Sequence, residues 1–182
     1  IGMFKTGTTS IGRAFDILGY KTLHGPWWPE GIMIRDDFFE RPEEWLPFHK
    51  KIKEQLGYYD AFQDYPWMFL YDKVDKWYPH TKFILTVRNI QALAKSDINM
   101  LTKLGRPEDK IHDNDKIINR YTKHRKKVLK YFEKKNNFIE IDIFKGEGWK
   151  KLCSFLNHDI PNIDFPHVNP NRDFLHMNKK KI

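Results

Sequence analysis

The sequence predicts an α/β fold: one three-layer domain in which a roughly five-stranded parallel sheet is flanked by helices. Three observations predict it. Short apolar runs alternate with segments of helical periodicity along most of the 182 residues. One run, TKFILTV at 81–87, is apolar through its centre, as a strand buried on both faces requires. The chain also opens strand, tight glycine loop, helix, strand, which is how a parallel sheet begins.

The elements follow in order. Residues 1–4 read as the end of a buried strand and 5–9 as a Gly/Thr loop. Ser10 is expected to cap a helix whose apolar stripe is Ile11, Ala14, Phe15 and Leu18, with Gly19 as its stop. Residues 20–24 form a second strand. Residues 25–47 break the pattern with Trp27, Trp28 and Trp45 among Pro26, Pro29, Pro42 and Pro47, and read as a long excursion, often functional in compact domains. A helix over 43–56 is expected, kinked or delayed by Pro47. A strand over 58–63 ends at Asp64, and Trp67, Leu70, Val74 and Trp77 mark the next helix. Beyond the 81–87 strand a helix runs from about Ile90 to a break at Gly105-Arg106-Pro107. A basic helix over about 115–135, a strand over 138–143 and a helix with Trp149, Leu152, Cys153 and Leu156 at i, i+3, i+4, i+7 complete the list. Residues 173–182 read as a polar tail of the same single domain, 1–182.

A chain that is 40% hydrophobic and 15% aromatic can bury one sizeable core. No apolar run approaches the roughly 20 residues that cross a bilayer. The first residue is Ile1 rather than Met, which leaves room for an upstream segment. A single cysteine, Cys153, allows no internal disulfide and no Cys-rich metal site, and the eight histidines are scattered. These features favour a reducing, cytoplasmic setting. The net charge of +8 attracts anions: nucleic acid, a membrane surface or a phosphorylated small molecule. Much of the excess lies at 120–135 and 179–181, where it fits a solvated helix face and a tail. Tyr121, Tyr131 and Phe132 fall at core spacing rather than interleaving with the basic residues, so no nucleic-acid partner is expected.

Two constellations carry chemistry. The first is the loop with Lys5, Thr6, Gly7, Thr8, Thr9 and Ser10. Strand, glycine turn and helix amino terminus together aim N–H groups and a helix dipole at a phosphate. The Gly2-to-Gly7 spacing matches a nucleotide triphosphatase loop, giving a P-loop-type domain, but Thr8 stands where the lysine should follow Gly7. Lys5 lies inside the loop and can reach the bridging oxygen of a phosphosulfate. The second is Arg88 with Ser96: a guanidinium at a strand end and a hydroxyl two turns into the next helix can hold a terminal phosphate together. Lys5, Asp64 and Arg88 each follow a strand, so all three are expected at one rim.

Here the sequence resembles the sulfotransferases that use 3′-phosphoadenosine 5′-phosphosulfate. KTGTTS looks like their 5′-phosphosulfate loop, and VRN followed by Ser96 like their 3′-phosphate motif. YPHTKFILTVRN matches the family's central tract, and RYTKH, IDIFKGEGWKKLCSFL and FPHVN resemble its carboxyl-terminal half. The resemblance implies that Lys5, Thr6, Gly7, Thr8, Thr9 and Ser10 bind the 5′-phosphosulfate and that Arg88 and Ser96 bind the 3′-phosphate. It implies in-line displacement at sulfur, with Lys5 stabilising the leaving oxygen and no metal required. The product is 3′-phosphoadenosine 5′-phosphate. The base departs from the cytosolic branch, whose His-x-Pro segment is replaced by Asp64-Tyr65-Pro66, so Asp64 is the candidate, with a pKa raised by burial. A helix cap is the other reading of Asp64, and His24 is the rival base. Trp27, Trp28, Phe38, Phe39 and Trp45 are candidates to line the pocket of a small-molecule or glycan acceptor. FPHVN, Asn169 and Arg172 are candidates to close over the nucleotide. Two other functions stay open: a P-loop kinase or triphosphatase, and a basic nucleic-acid module on 120–135.

Overall fold

The computed structural model describes residues 1–24, 49–103, 105 and 114–168. Helix α1 spans Thr8–Ile17 and buries Ile11, Ala14 and Phe15 along one stripe. It begins two residues before the expected cap. Gly7, with φ 96°, occupies the cap position without a side-chain bond, and Ser10 lies inside the first turn. Gly19, with φ 88°, ends the helix as expected, and Tyr20 N closes on Phe15 O at 3.0 Å.

Strand β1 (Thr22–Leu23) pairs in parallel with β2 (Ala61–Phe62), and β3 (Phe83–Thr86) pairs in parallel with β4 (Phe138–Ile141). Among the described residues there are thus two two-stranded parallel sheets rather than one sheet of about five. The opening segment, expected to be a strand end, reaches β3 through the Ile1 nitrogen, which donates to Ile84 O at 2.7 Å. A strand assignment needs a run of ladder bonds, and residues 1–4 do not form one. A cavity of about 310 Å³ lies between β2 and β3, bordered by Ile1, Gly2, Asp64 and Thr86.

Helix α2 (His49–Tyr58) forms within the helix expected over 43–56; residues 43–48 with Pro47, and the excursion before them, lie outside the described residues. The single helix expected from Trp67 to Trp77 is two pieces, a 3-10 turn at Trp67–Phe69 and α3 at Tyr71–Trp77, meeting at Leu70. Helix α4 spans Ile90–Lys103, α5 spans Asn114–Phe132 and α6 spans Trp149–Leu156, with a 3-10 turn at Ile143–Lys145.

Side chains alternate across a strand, and β3 uses this to join two cores. Phe83 and Leu85 face Val74, Leu93, Tyr121, Val128 and Phe132 of α3, α4 and α5. Ile84, with Ile141 of β4, faces Ile11, Phe15, Leu152 and Cys153 of α1 and α6. Helices therefore cover both faces of the β3–β4 pair, the layered α/β arrangement that was expected. The basic helix α5 turns Ile117, Tyr121, Val128 and Phe132 inward, so its lysines lie outward. A bidentate pair, Arg125 Nε and Nη2 on Glu140 at 2.8 and 2.9 Å, fastens α5 to β4.

Candidate active site

The rim at the ends of β2 and β3 gathers the chemistry. The glycine loop leaves the core with two left-handed residues, Lys5 at φ 66° and Gly7 at φ 96°. Thr6 between them is fully buried. Its hydroxyl donates to Met3 O at 2.5 Å, which leaves the Thr86 hydroxyl to donate to Thr6 Oγ1 at 2.6 Å. Thr6 thus fixes the loop to β3 with its side chain. Gly2 lies so close to Thr86 that a Cβ there would sit 1.8 Å from its Oγ1. Gly7 is equally tight: its Cβ would sit 2.3 Å from Ile143 Cδ1. The first-turn N–H groups of α1 have no partner within the helix, the condition under which a helix amino terminus can receive an anion.

Arg88 follows β3 and turns back to this loop. Its backbone N–H donates to the Tyr121 hydroxyl at 3.3 Å, and its Nη1 donates to Lys5 O at 3.2 Å. The guanidinium carbon lies 4.1 Å from the centroid of Phe144, a ring that is 41% exposed. A groove of about 950 Å³ opens beside Arg88, lined by Asn89, Tyr121, Arg125, Lys126 and Lys145 among others.

Two carboxylates share the field of Lys5. Asp64, in left-handed backbone at φ 69°, is buried, and its Oδ1 accepts from Tyr65 N at 3.1 Å. Burial pushes its pKa from 3.8 up to about 7, against the pull of the Tyr65 bond and Lys5. It caps no helix: the turn that follows has Pro66 at its cap position and no side-chain cap bond. Asp97, on α4, is also raised by burial, while Arg120 and Lys5 pull it down. Lys5 itself is lowered by burial, opposed by Asp97 and Asp64 and reinforced by Arg88 and Lys103.

Of the three residues expected at one rim, Arg88 thus touches the Lys5 backbone, and Asp64 lies within electrostatic reach of Lys5. Ser96 is half-buried on α4, next to Asp97. Ser10 is buried, and its Oγ accepts from Val168 N at 3.1 Å. His24 follows Leu23, which pairs with Phe62, so it stands one register position before Asp64 on the same edge. Its Nε2 is engaged by Asp16 of α1, 2.9 Å from Oδ1. Asp97, Tyr121 and Phe144 were missed from the sequence. Phe144 was findable, since it follows the end of a predicted strand on the same rim. Trp27, Trp28, Phe38, Phe39, Trp45, Asn169 and Arg172 lie outside the described residues.

A family model described as "Sulfotransferase domain" matches residues 1–111 and 98–174, nearly the whole chain. This chain belongs to the sulfotransferase family. The membership expected from KTGTTS and the VRN stretch holds. One relative of this sulfotransferase is "Ava biosynthesis cluster protein M" of Aspergillus versicolor, 24% identical over 216 residues that cover 92% of this chain and 78% of the relative. Among the described residues no helix is long and apolar enough to cross a membrane, and no group of three or more His, Cys, Asp and Glu could hold a metal ion.

Proposed function

We propose that this sulfotransferase takes its sulfuryl group from 3′-phosphoadenosine 5′-phosphosulfate, held at the P-loop-type cradle, and passes it to a hydroxyl or amine of a small-molecule or glycan acceptor. The observation that carries the reading is the 3.2 Å bond from Arg88 Nη1 to Lys5 O. Two motifs 83 residues apart meet at one rim, close enough for one nucleotide to touch both. The left-handed turn at Gly7 and the open first turn of α1 suit a phosphate at one end. The Arg88 fork, backed by Phe144, suits a phosphate at the other.

The donor supplies an activated sulfuryl group, and the protein's own residues position and discharge. N–H groups of Lys5 to Ser10 orient the 5′ end, and the Lys5 ammonium answers the charge that develops on the leaving phosphate oxygen. Arg88 and Ser96 hold the 3′ end. Asp64 accepts the proton of the acceptor, a task suited to a carboxyl pushed to about 7 within electrostatic reach of Lys5.

The reading is tested by incubating the protein with the donor, a panel of phenol, sugar, lipid and peptide acceptors, and a chelator. Release of 3′-phosphoadenosine 5′-phosphate with at least one acceptor class is expected. No release with any class, together with Mg²⁺-dependent hydrolysis of ATP, would replace it with a P-loop triphosphatase.

A further inference from the structure

Residues 163–168 leave α6 and return to the cradle, held at both ends. The Trp149 indole donates to Ile163 O at 2.8 Å, and Phe165 packs edge-on against Trp149 with centroids 5.0 Å apart. Gly148 makes room for that ring: a Cβ there would stand 2.7 Å from Phe165 Cγ. At the far end Val168 N donates to the buried Ser10 Oγ, inside the first turn of α1. Between the anchors lies His167, exposed, with its imidazole edge-on to Phe144 at 6.1 Å and 85°. The face of the same Phe144 carries the Arg88 guanidinium. An aromatic ring left open to solvent, with a guanidinium on its face and an imidazole near it, is poorly explained by core packing.

We propose that His167 is a further nucleotide-binding residue, mounted on this strap and donating to the same terminal phosphate as Arg88. Ser10 acts as the strap's anchor rather than as a side-chain ligand of the phosphosulfate. The assignment rests on the nucleotide reading above and adds a third cationic or donor group at its 3′ end.

Calorimetry with two ligands tests it: adenosine 3′,5′-bisphosphate and adenosine 5′-phosphate. His167→Ala should weaken the bisphosphate about tenfold and leave the 5′-monophosphate unchanged, because only one ligand carries the phosphate that His167 meets. His167→Glu should weaken the bisphosphate further, through repulsion that a purely structural strap would not produce. Ser10→Ala, which releases Val168 from the strap's anchor, should weaken the bisphosphate more mildly than His167→Ala does. His167 is exposed, so the melting temperatures of its variants are expected to match the wild type. If the wild type binds the bisphosphate and His167→Ala binds it equally well, or loses both ligands alike, this assignment fails and the nucleotide reading stands. If the wild type binds neither ligand, both fail.

Discussion

Lys5 and Asp64 hold left-handed backbone at φ 66° and 69°, conformations that cost a residue with a side chain roughly 1–3 kcal/mol each. Both lie on the same rim and within each other's electrostatic reach, so two local strains converge on one site. Lys5→Ala should reduce turnover about 10²- to 10³-fold. It should change the melting temperature far less, because relief of a desolvated ammonium offsets the lost attraction to Asp97 and Asp64. Steady-state kinetics and thermal unfolding check both halves, and near-normal turnover would remove Lys5 from the chemistry. Asp64 makes a different prediction. As a base it must be ionised, so with its pKa at about 7 the rate should fall as pH drops below neutrality. Asp64→Asn should lose about 10²- to 10⁴-fold in rate together with that acid limb. A pH profile of kcat that keeps the limb in the variant points to another base, His24 first. Lys5 and Arg88 were legible because their types are demanding: a lysine inside a glycine turn and an arginine after an apolar strand. Asp97 was illegible because its closeness to Lys5 depends on how α4 docks, which no local pattern encodes.

At the scale of elements, errors came where backbone rather than side chain sets the boundary. Serine was read as the cap of α1 because side-chain caps have a recognisable signature. The observed cap is Gly7 in left-handed backbone with no side-chain bond, which leaves only a glycine to read. The helix expected from Trp67 to Trp77 kept its apolar spacing but broke at Leu70, since period alone does not separate a 3-10 turn from the α-helix after it. The apolar run at 81–87, by contrast, gave β3 within a residue or two, because all four of its strand residues are buried. The glycine turn yields a prediction with an internal control. Gly7→Ala must drive a Cβ to 2.3 Å from Ile143 in a left-handed turn, whereas Gly146, also left-handed at φ 79°, has nothing within 4 Å. Gly146→Ala should cost about 1 kcal/mol by thermal or denaturant unfolding, and Gly7→Ala about 2–4 kcal/mol. Equal losses would mean that Ile143 moves aside freely and the loop is less constrained than its contacts imply.

Across the whole molecule, two buried groups pull stability in opposite directions with pH. His124 is buried, and its Nε2 donates to Ile1 O at 3.0 Å. Burial lowers its pKa from 6.5 to about 4, so the unfolded chain takes a proton first and stability falls as pH drops through that window. Asp64 runs the other way. Its native carboxyl keeps a proton from 3.8 up to about 7, so stability falls as pH rises over that range. The two slopes oppose each other between about 4 and 6.5. The difference between Asp64→Asn and wild type isolates the carboxyl: the variant should gain stability progressively from pH 4 to 7 and hold the gain above it, read by denaturant unfolding at pH 4.5, 6 and 8. A difference that is flat with pH would place Asp64 in a more solvated position. The layered α/β character was legible from alternation and composition. The single sheet was not, because pairing between distant strands depends on register and docking, and the described strands fall into two pairs.

The most direct measurement is calorimetric binding of adenosine 3′,5′-bisphosphate in a chelator, for the wild type and for Lys5→Ala and Arg88→Ala. Micromolar affinity without metal is expected, weakened about tenfold or more by each substitution. Absence of binding, or two variants that bind like the wild type, would mean that the cations joined at this rim do not hold the two ends of one nucleotide.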